Sequence, residues 1–306
     1  MKKIIGMALG LLFTTFCVWG QDMFPARKLT TDQGREGFAS WSPRGDSLFY
    51  QYSDRRDTLG MNGLWKIARD GSGAIQVYAG IAEHAKWSPD GRHIVFDADT
   101  GKAIKLMPAM GGIPKKFFPD SIHIRNGGLP CWSPDASKIA FIEGGTVSLC
   151  IYDFHEGQVT PIFREEGLLP LPGGWTPDGQ GVLVALMDRQ TRRSTIWKIS
   201  ADGKTQEQIP GHHENFYRHL SLSPDGSLLV YAVFEDPYLG LYVMPAEGGP
   251  SRPLAVILNG HTEGPAWSPD GRHLVFNRTH EGNADIWIMD VDIEKIWKEL
   301  RILNKE

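Results

Sequence analysis

Cysteine is scarce, with three in 306 residues, one of them inside an N-terminal apolar run. That excludes a small disulfide-stapled scaffold and leaves the fold to its apolar core. A surplus of basic charge is also missing, because 32 Lys and Arg face 36 Asp and Glu for a formal charge of −4. Nothing in that balance calls for nucleic acid or an anionic membrane surface as partner. Beyond residue 20 no apolar stretch reaches the roughly 20 residues that a bilayer-spanning helix needs. No Gly-x-Ser-x-Gly nucleophile elbow occurs.

What is abundant is glycine, at 35, and proline, at 20, the residues that punctuate short strands and turns. With 41% hydrophobic residues, an all-β fold with a sizeable core is expected. The first twenty residues stand apart: Lys2 and Lys3 precede an uncharged apolar run over 4–19, and Val18 and Gly20 suit cleavage before Gln21. This reads as a signal peptide over 1–20 that exports the chain to the periplasm or beyond, with no stable membrane insertion. Phe16, just before Cys17, does not suit a lipoprotein site.

The dominant signal is self-similarity. Trp41-Ser42-Pro43-Arg44-Gly45 returns as Trp87-Ser88-Pro89-Asp90-Gly91, Trp132-Ser133-Pro134-Asp135-Ala136, Trp175-Thr176-Pro177-Asp178-Gly179, Leu222-Ser223-Pro224-Asp225-Gly226 and Trp267-Ser268-Pro269-Asp270-Gly271. The spacing of 43 to 47 residues suits one four-stranded propeller blade per copy. Each pentapeptide reads as a hairpin turn, with proline presetting φ, Asp bonding its own backbone and Gly accepting positive φ. Alternating strands follow over 47–52, 93–98, 138–143, 181–186, 228–233 and 273–278. A second set carries an aromatic or leucine, as in Leu64-Trp65-Lys66-Ile67 and Ile286-Trp287-Ile288-Met289. Polar outer strands are expected over 74–78, 114–118, 158–163, 205–209 and 251–256. The sixth copy lacks one, and residues 24–30 have the composition to supply it. The expectation is therefore an all-β, six-bladed β-propeller over 21–292, its ring closed by an N-terminal strand so that no sheet edge is left open. Ile293, Ile296, Trp297 and Leu300 recur at helical spacing in the tail 293–306, which predicts a short helix whose apolar face includes Trp297.

These repeats resemble the WD-like repeats of the TolB-like propeller family over roughly residues 24–292. The resemblance implies a binding module of the cell envelope rather than an enzyme. TolB carries an α/β domain before its propeller, and here the first repeat follows the leader directly, which counts against a role in the Tol-Pal system. The gating propellers of dipeptidyl-peptidase IV-like and tricorn-like peptidases have similar blades but require a serine nucleophile domain. Oligogalacturonate lyases are also similar and bind a metal through histidines, so a metal-dependent carbohydrate-active enzyme is the alternative. His212, His213 and His219 in one stretch, with His84 and His261 in equivalent loops, are the residues that such a site would draw on.

In a ring of blades the segments entering the innermost strands crowd the axis. Counting three to six places before each pentapeptide gives Glu36, Glu83 with His84, Asn126, Arg218 with His219, and His261 with Glu263 as candidate ligand-binding residues of a central funnel. The fourth repeat offers the apolar stretch 169–172 instead. A mixed-charge rim with an apolar sector suits a peptide of an envelope protein, a small polar ligand or an oligosaccharide. No catalytic residue, metal ligand or cofactor is assigned, and a monomer is expected. The motif tryptophans belong to the core and the turn aspartates to the turns. Cys131 and Cys150 fall on strands flanking a third, beyond disulfide reach.

Overall fold

The computed structural model describes residues 22–99, 101–124, 126–211, 217–235, 238–257, 260–280 and 282–303. The leader expected over 1–20, together with His212 and His213, lies outside them. Each sequence repeat folds as an antiparallel meander. The first runs Arg35–Trp41, Ser47–Ser53, Gly63–Ala68 and Ile75–Ala79, each strand paired with the next. The next three repeat this order as separate four-stranded sheets. The fifth comprises Tyr217–Leu222, Leu228–Glu235, Tyr238–Pro245 and Arg252–Ala255. The sixth has Gly260–Trp267, His273–His280 and Asn283–Asp290.

The missing outer strand of the sixth repeat comes from the other end of the chain. Ala26–Lys28 pairs antiparallel with Asn283–Asp290, matching Ala26 to Met289 and Lys28 to Trp287. Side chains fasten it: Lys28 Nζ lies 2.7 Å from Asp285 Oδ2, and Arg278 lies 2.6 Å from Asp22. Single parallel bridges, Arg35 to Ala284 and Leu239 to His261, join neighbouring repeats. This is the sheet arrangement of a β-propeller.

The core lies between repeats. Phe49 and Leu64 of the first pack on Ile94, Phe96 and Met107 of the second, and Val95 and Ile104 of the second pack on Ile139 and Phe141 of the third. The pattern continues until Val275, Ile286 and Ile288 of the sixth meet Leu48, Tyr50 and Ile67 of the first. Every repeat is thus a wedge whose two faces are both apolar, so no repeat buries its own surface alone.

The pentapeptides make one hydrogen-bonded turn. In the second copy Ser88 Oγ donates to Asp90 Oδ1 at 2.5 Å, Asp90 accepts from the Arg92 N–H, and the Gly91 N–H donates to the Ser88 carbonyl. The third, fifth and sixth copies repeat the Ser–Asp bond, and the fourth makes it with Thr176. The first copy has Arg44 where the others have Asp, and Asp46 takes over, accepting from Ser42 Oγ at 2.7 Å. The Ser133 hydroxyl and the Ser137 N–H hold the Asp135 carboxyl down to about 2. Two motif indoles tie adjacent inner strands together: Trp41 donates to the Ala266 carbonyl and Trp175 to that of Cys131.

The tail forms a helix, Ile293–Leu303, capped by Asp292, whose carboxylate accepts from the Lys295 N–H at 3.0 Å. Ile296 and Leu300 are its fully buried residues, packed with Phe24 and Met289. Trp297 is partly buried and packs against the same cluster at its edge, beside the fully inward 296–300 stripe. Cys131 and Cys150 are free and buried. They pair with Ala140 and Phe141 on opposite sides of one intervening strand.

Candidate functional site

Five inner strands carry the same irregularity. In the first repeat Gly37 faces Gln51 and Ser40 faces Phe49, so Phe38 and Ala39 together oppose Tyr50. The same β-bulge sets His84 and Ala85 against Phe96, Leu129 and Pro130 against Phe141, His219 and Leu220 against Tyr231, and Gly264 and Pro265 against Phe276. The opposing aromatics are at most 1% exposed, so the buried ring fixes where the strand bends. The first bulge residue is left-handed each time, with φ of 52° at Phe38, 50° at His84, 53° at Leu129, 57° at His219 and 64° at Gly264. Gly264 adopts this without cost, whereas each side-chain-bearing residue pays about 1–2 kcal/mol. At Gly264 a Cβ would fall 2.4 Å from Asn277 Oδ1, so glycine is required there.

The bulges turn their side chains inward, and three of them meet. The Phe38 ring centroid is 4.4 Å from that of His84 and 5.2 Å from that of His219. Rings from the first, second and fifth repeats can touch only over the centre of the ring of sheets. Around them stand carboxylates: His84 Nδ1 lies 2.9 Å from Asp97 Oδ2, and His219 Nδ1 lies 3.6 Å from Glu263 Oε2. Gln51 Nε2 donates to Glu83 Oε1 at 3.3 Å. The opposite wall is apolar, with Leu129, Leu171 and Pro172 partly exposed. Deeper on the second inner strand is Lys86, whose ammonium burial holds below the usual lysine value while Cys131 and Asp97 pull it back. Burial pushes the Cys131 thiol up to about 12, so it is no nucleophile at neutral pH.

The sequence-derived residues divide accordingly. Glu83, His84, His219 and Glu263 come together at the centre. Glu36 does not: it is 2% exposed, buried where the first and sixth repeats meet, and accepts from the Thr30 hydroxyl, which itself accepts from the Ile286 N–H. Desolvation, opposed by the Thr30 bond, pushes the Glu36 carboxyl up to about 8. Asn126 is exposed at the start of its inner strand, left-handed at φ 56°, with its carbonyl accepting from the Gly144 N–H. His261 is exposed in its strand. The Arg218 backbone pairs with Ala232, and its side chain lies outside the described residues.

Several contributors escaped the sequence reading. Phe38 occupies the place of His84 and His219 but reads as an ordinary apolar strand residue. Asp97 and Asn277 sit ten places after the motif tryptophans of the second and sixth repeats, in phase with Gln51 of the first. That in-phase polar set was the available signal. The histidine cluster of the lyase-like alternative is not assembled among the described residues, where the one group with metal-ligand geometry is Glu83, His84 and Asp97.

No family model matches the chain. An uncharacterized protein of Agrobacterium fabrum is 28% identical over 168 residues, 53% of this chain and 54% of that protein. The Tol-Pal system protein TolB of Anaeromyxobacter dehalogenans is 31% identical over 121 residues, 39% of this chain and 27% of TolB. The chain thus spans about half or less of the length of these curated relatives. Among solved structures, a candidate TolB from Agrobacterium tumefaciens superposes with a TM-score of 0.66 at 21% identity, covering 87% of this chain and 94% of that one. The chain is similar to TolB-like proteins and shares the β-propeller fold. An oligogalacturonate lyase in complex with manganese shares the fold at a TM-score of 0.59 and 15% identity, over 90% of this chain and 96% of the lyase. At that identity the likeness concerns the fold alone. Among the described residues no helix is long and apolar enough to cross a membrane.

Proposed function

We propose that this TolB-like chain is an exported six-bladed propeller, closed by its N-terminal strand, that binds a segment of a partner protein of the cell envelope over the mouth of its central funnel. The observation that carries the reading is the convergence of Phe38, His84 and His219 at the centre. Three side chains held left-handed where glycine would be free of strain are a standing cost, and such cost is met at binding sites. A partly exposed aromatic ring flanked by carboxylates on one side and by Leu129, Leu171 and Pro172 on the other offers an apolar anchor and a polar rim, the division found in protein interfaces. The likeness to TolB supports a protein partner. Closure is supported by the pairing of Ala26–Lys28 with Asn283–Asp290 and by the shared core of first and sixth repeats.

The test starts with a photo-cross-linking amino acid at position 38 in cells of the source organism, which identifies the partner. The purified partner is then titrated against the parent chain and against Phe38→Ala combined with Glu263→Gln. Loss of an aromatic anchor of this kind costs about 2 kcal/mol or more, so binding should weaken at least about tenfold while the melting temperature stays within a few degrees. Unchanged binding in the double variant would move the site to the outer rim.

A further inference from the structure

The second repeat contains an arrangement that partner binding does not require. Glu83 and Asp97 face each other as a pair across adjacent strands, and the bulge swings His84 onto the same side. One ligand-type atom from each of the three lies within 4.8 Å of the others. Atoms bound to a divalent transition metal at about 2.0–2.2 Å are about 3 to 4.4 Å apart, so small side-chain rotations place all three on one ion. His84 Nδ1 and Asp97 Oδ2, at 2.9 Å, already have the separation of adjacent ligands.

The His84–Asp97 contact alone would be an ordinary ion pair. Two further observations go beyond it. Asp97 is 5% exposed, and its other oxygen, Oδ1, is buried with no hydrogen-bond partner. A carboxylate oxygen left so costs about 1–3 kcal/mol or more unless something else meets it. On the third repeat the facing residue is Gly128, where a Cβ would come within 3.3 Å of Asp97 Oδ2. The space beside the carboxylate is kept by the absence of a side chain.

We propose that Glu83, His84 and Asp97 form a binding site for one divalent transition-metal ion at the mouth of the funnel. Two carboxylates with one imidazole suit Mn²⁺ or Zn²⁺, because imidazole is a poor ligand for the hard ions Ca²⁺ and Mg²⁺. Three protein ligands leave coordination positions open, as metal sites that take up an external ligand do.

The experiment uses the full chain stripped of metal, dialysed against Zn²⁺ or Mn²⁺ with Ca²⁺ as comparison, and read by elemental analysis and thermal melting. The expected result is one Zn²⁺ or Mn²⁺ per chain with a raised melting temperature, and little response to Ca²⁺. Asp97→Asn and His84→Gln should each weaken uptake about 10- to 100-fold or more, the range known even for outer-shell changes. Gly128→Ala, which leaves every ligand in place and needs no unusual φ, should weaken it less. His261→Gln should leave it unchanged. No uptake, or uptake that survives both Asp97→Asn and His84→Gln, overturns the site. Partner binding is not measured here, so failure of this site and failure of the funnel as a protein-binding surface are told apart.

Discussion

The turn residues obey a common chemistry so closely that departures from it are informative. Ala136 stands where the five other copies of the pentapeptide have glycine with φ of 68° to 74°, and it is held at φ 60°. An L side chain there costs about 1–2 kcal/mol, partly offset by the smaller entropy that alanine loses on folding. Ala136→Gly is therefore expected to stabilise the fold by roughly 0.5–1 kcal/mol, seen as a melting temperature higher by about 1–4 °C. A lower melting temperature would mean that the Ala136 methyl group makes a contact worth more than the strain. Glu36 departs in the other direction, as a carboxyl buried without a cation. Its pKa is about 8 in the folded chain against an ordinary 4.5, so between those values the folded state holds a proton that the unfolded state has released. Stability then falls as pH rises through that window, by up to about 1.4 kcal/mol per pH unit. Glu36→Gln should flatten this loss, melting close to the parent at pH 5 and above it at pH 8.5. Parallel pH profiles for the two proteins would contradict the assignment. Glu36 itself looked like a funnel residue because it precedes a motif by five places. Its side of the strand was decided by the bulge two residues later, which no periodicity count contained.

At the scale of elements, the pentapeptide and the alternation behind it made the hairpins legible. The strand expected over 138–143 is Lys138–Glu143, and that over 158–163 is Gln158–Phe163. Outer strands were less legible: the one expected over 114–118 shrinks to Lys115–Lys116, although the Phe117 N–H still donates to the Ile104 carbonyl, and the Phe117 and Phe118 rings pack with Tyr152. The bulges were invisible because their signature is not a residue type. Phe38, His84, Leu129, His219 and Gly264 share a conformation and no chemistry, and only the buried aromatic opposite each of them marks the place. Once the bulge is known, the site follows, since it gathers residues from positions three places before and ten places after each motif start.

At the scale of the whole molecule, one outer strand pairs with a partner more than 250 residues away in sequence. Without Ala26–Lys28 the strand Asn283–Asp290 would present a row of unpaired backbone groups, an edge that invites aggregation. The segment does more than hydrogen-bond. Phe24 and Leu29 are 7% and 8% exposed, Phe24 joins the core under the C-terminal helix, and Leu29 joins the one shared by first and sixth repeats. Burying each is worth about 1.5–3 kcal/mol. The buried ion pair of Arg278 with Asp22 adds a second dependence, because losing Asp22 leaves a guanidinium that is only 6% exposed without its carboxylate. Deleting residues 22–31 removes all of these together, a loss of at least about 5 kcal/mol. At about 2–4 °C per kcal/mol the melting temperature should fall by roughly 10–20 °C, and the chain should aggregate on mild warming. Arg278→Met added to the deletion should recover part of the loss by removing the stranded charge. A truncated chain that melts with the parent would show that the ring does not need this strand, and the sixth repeat would have to find its fourth strand elsewhere.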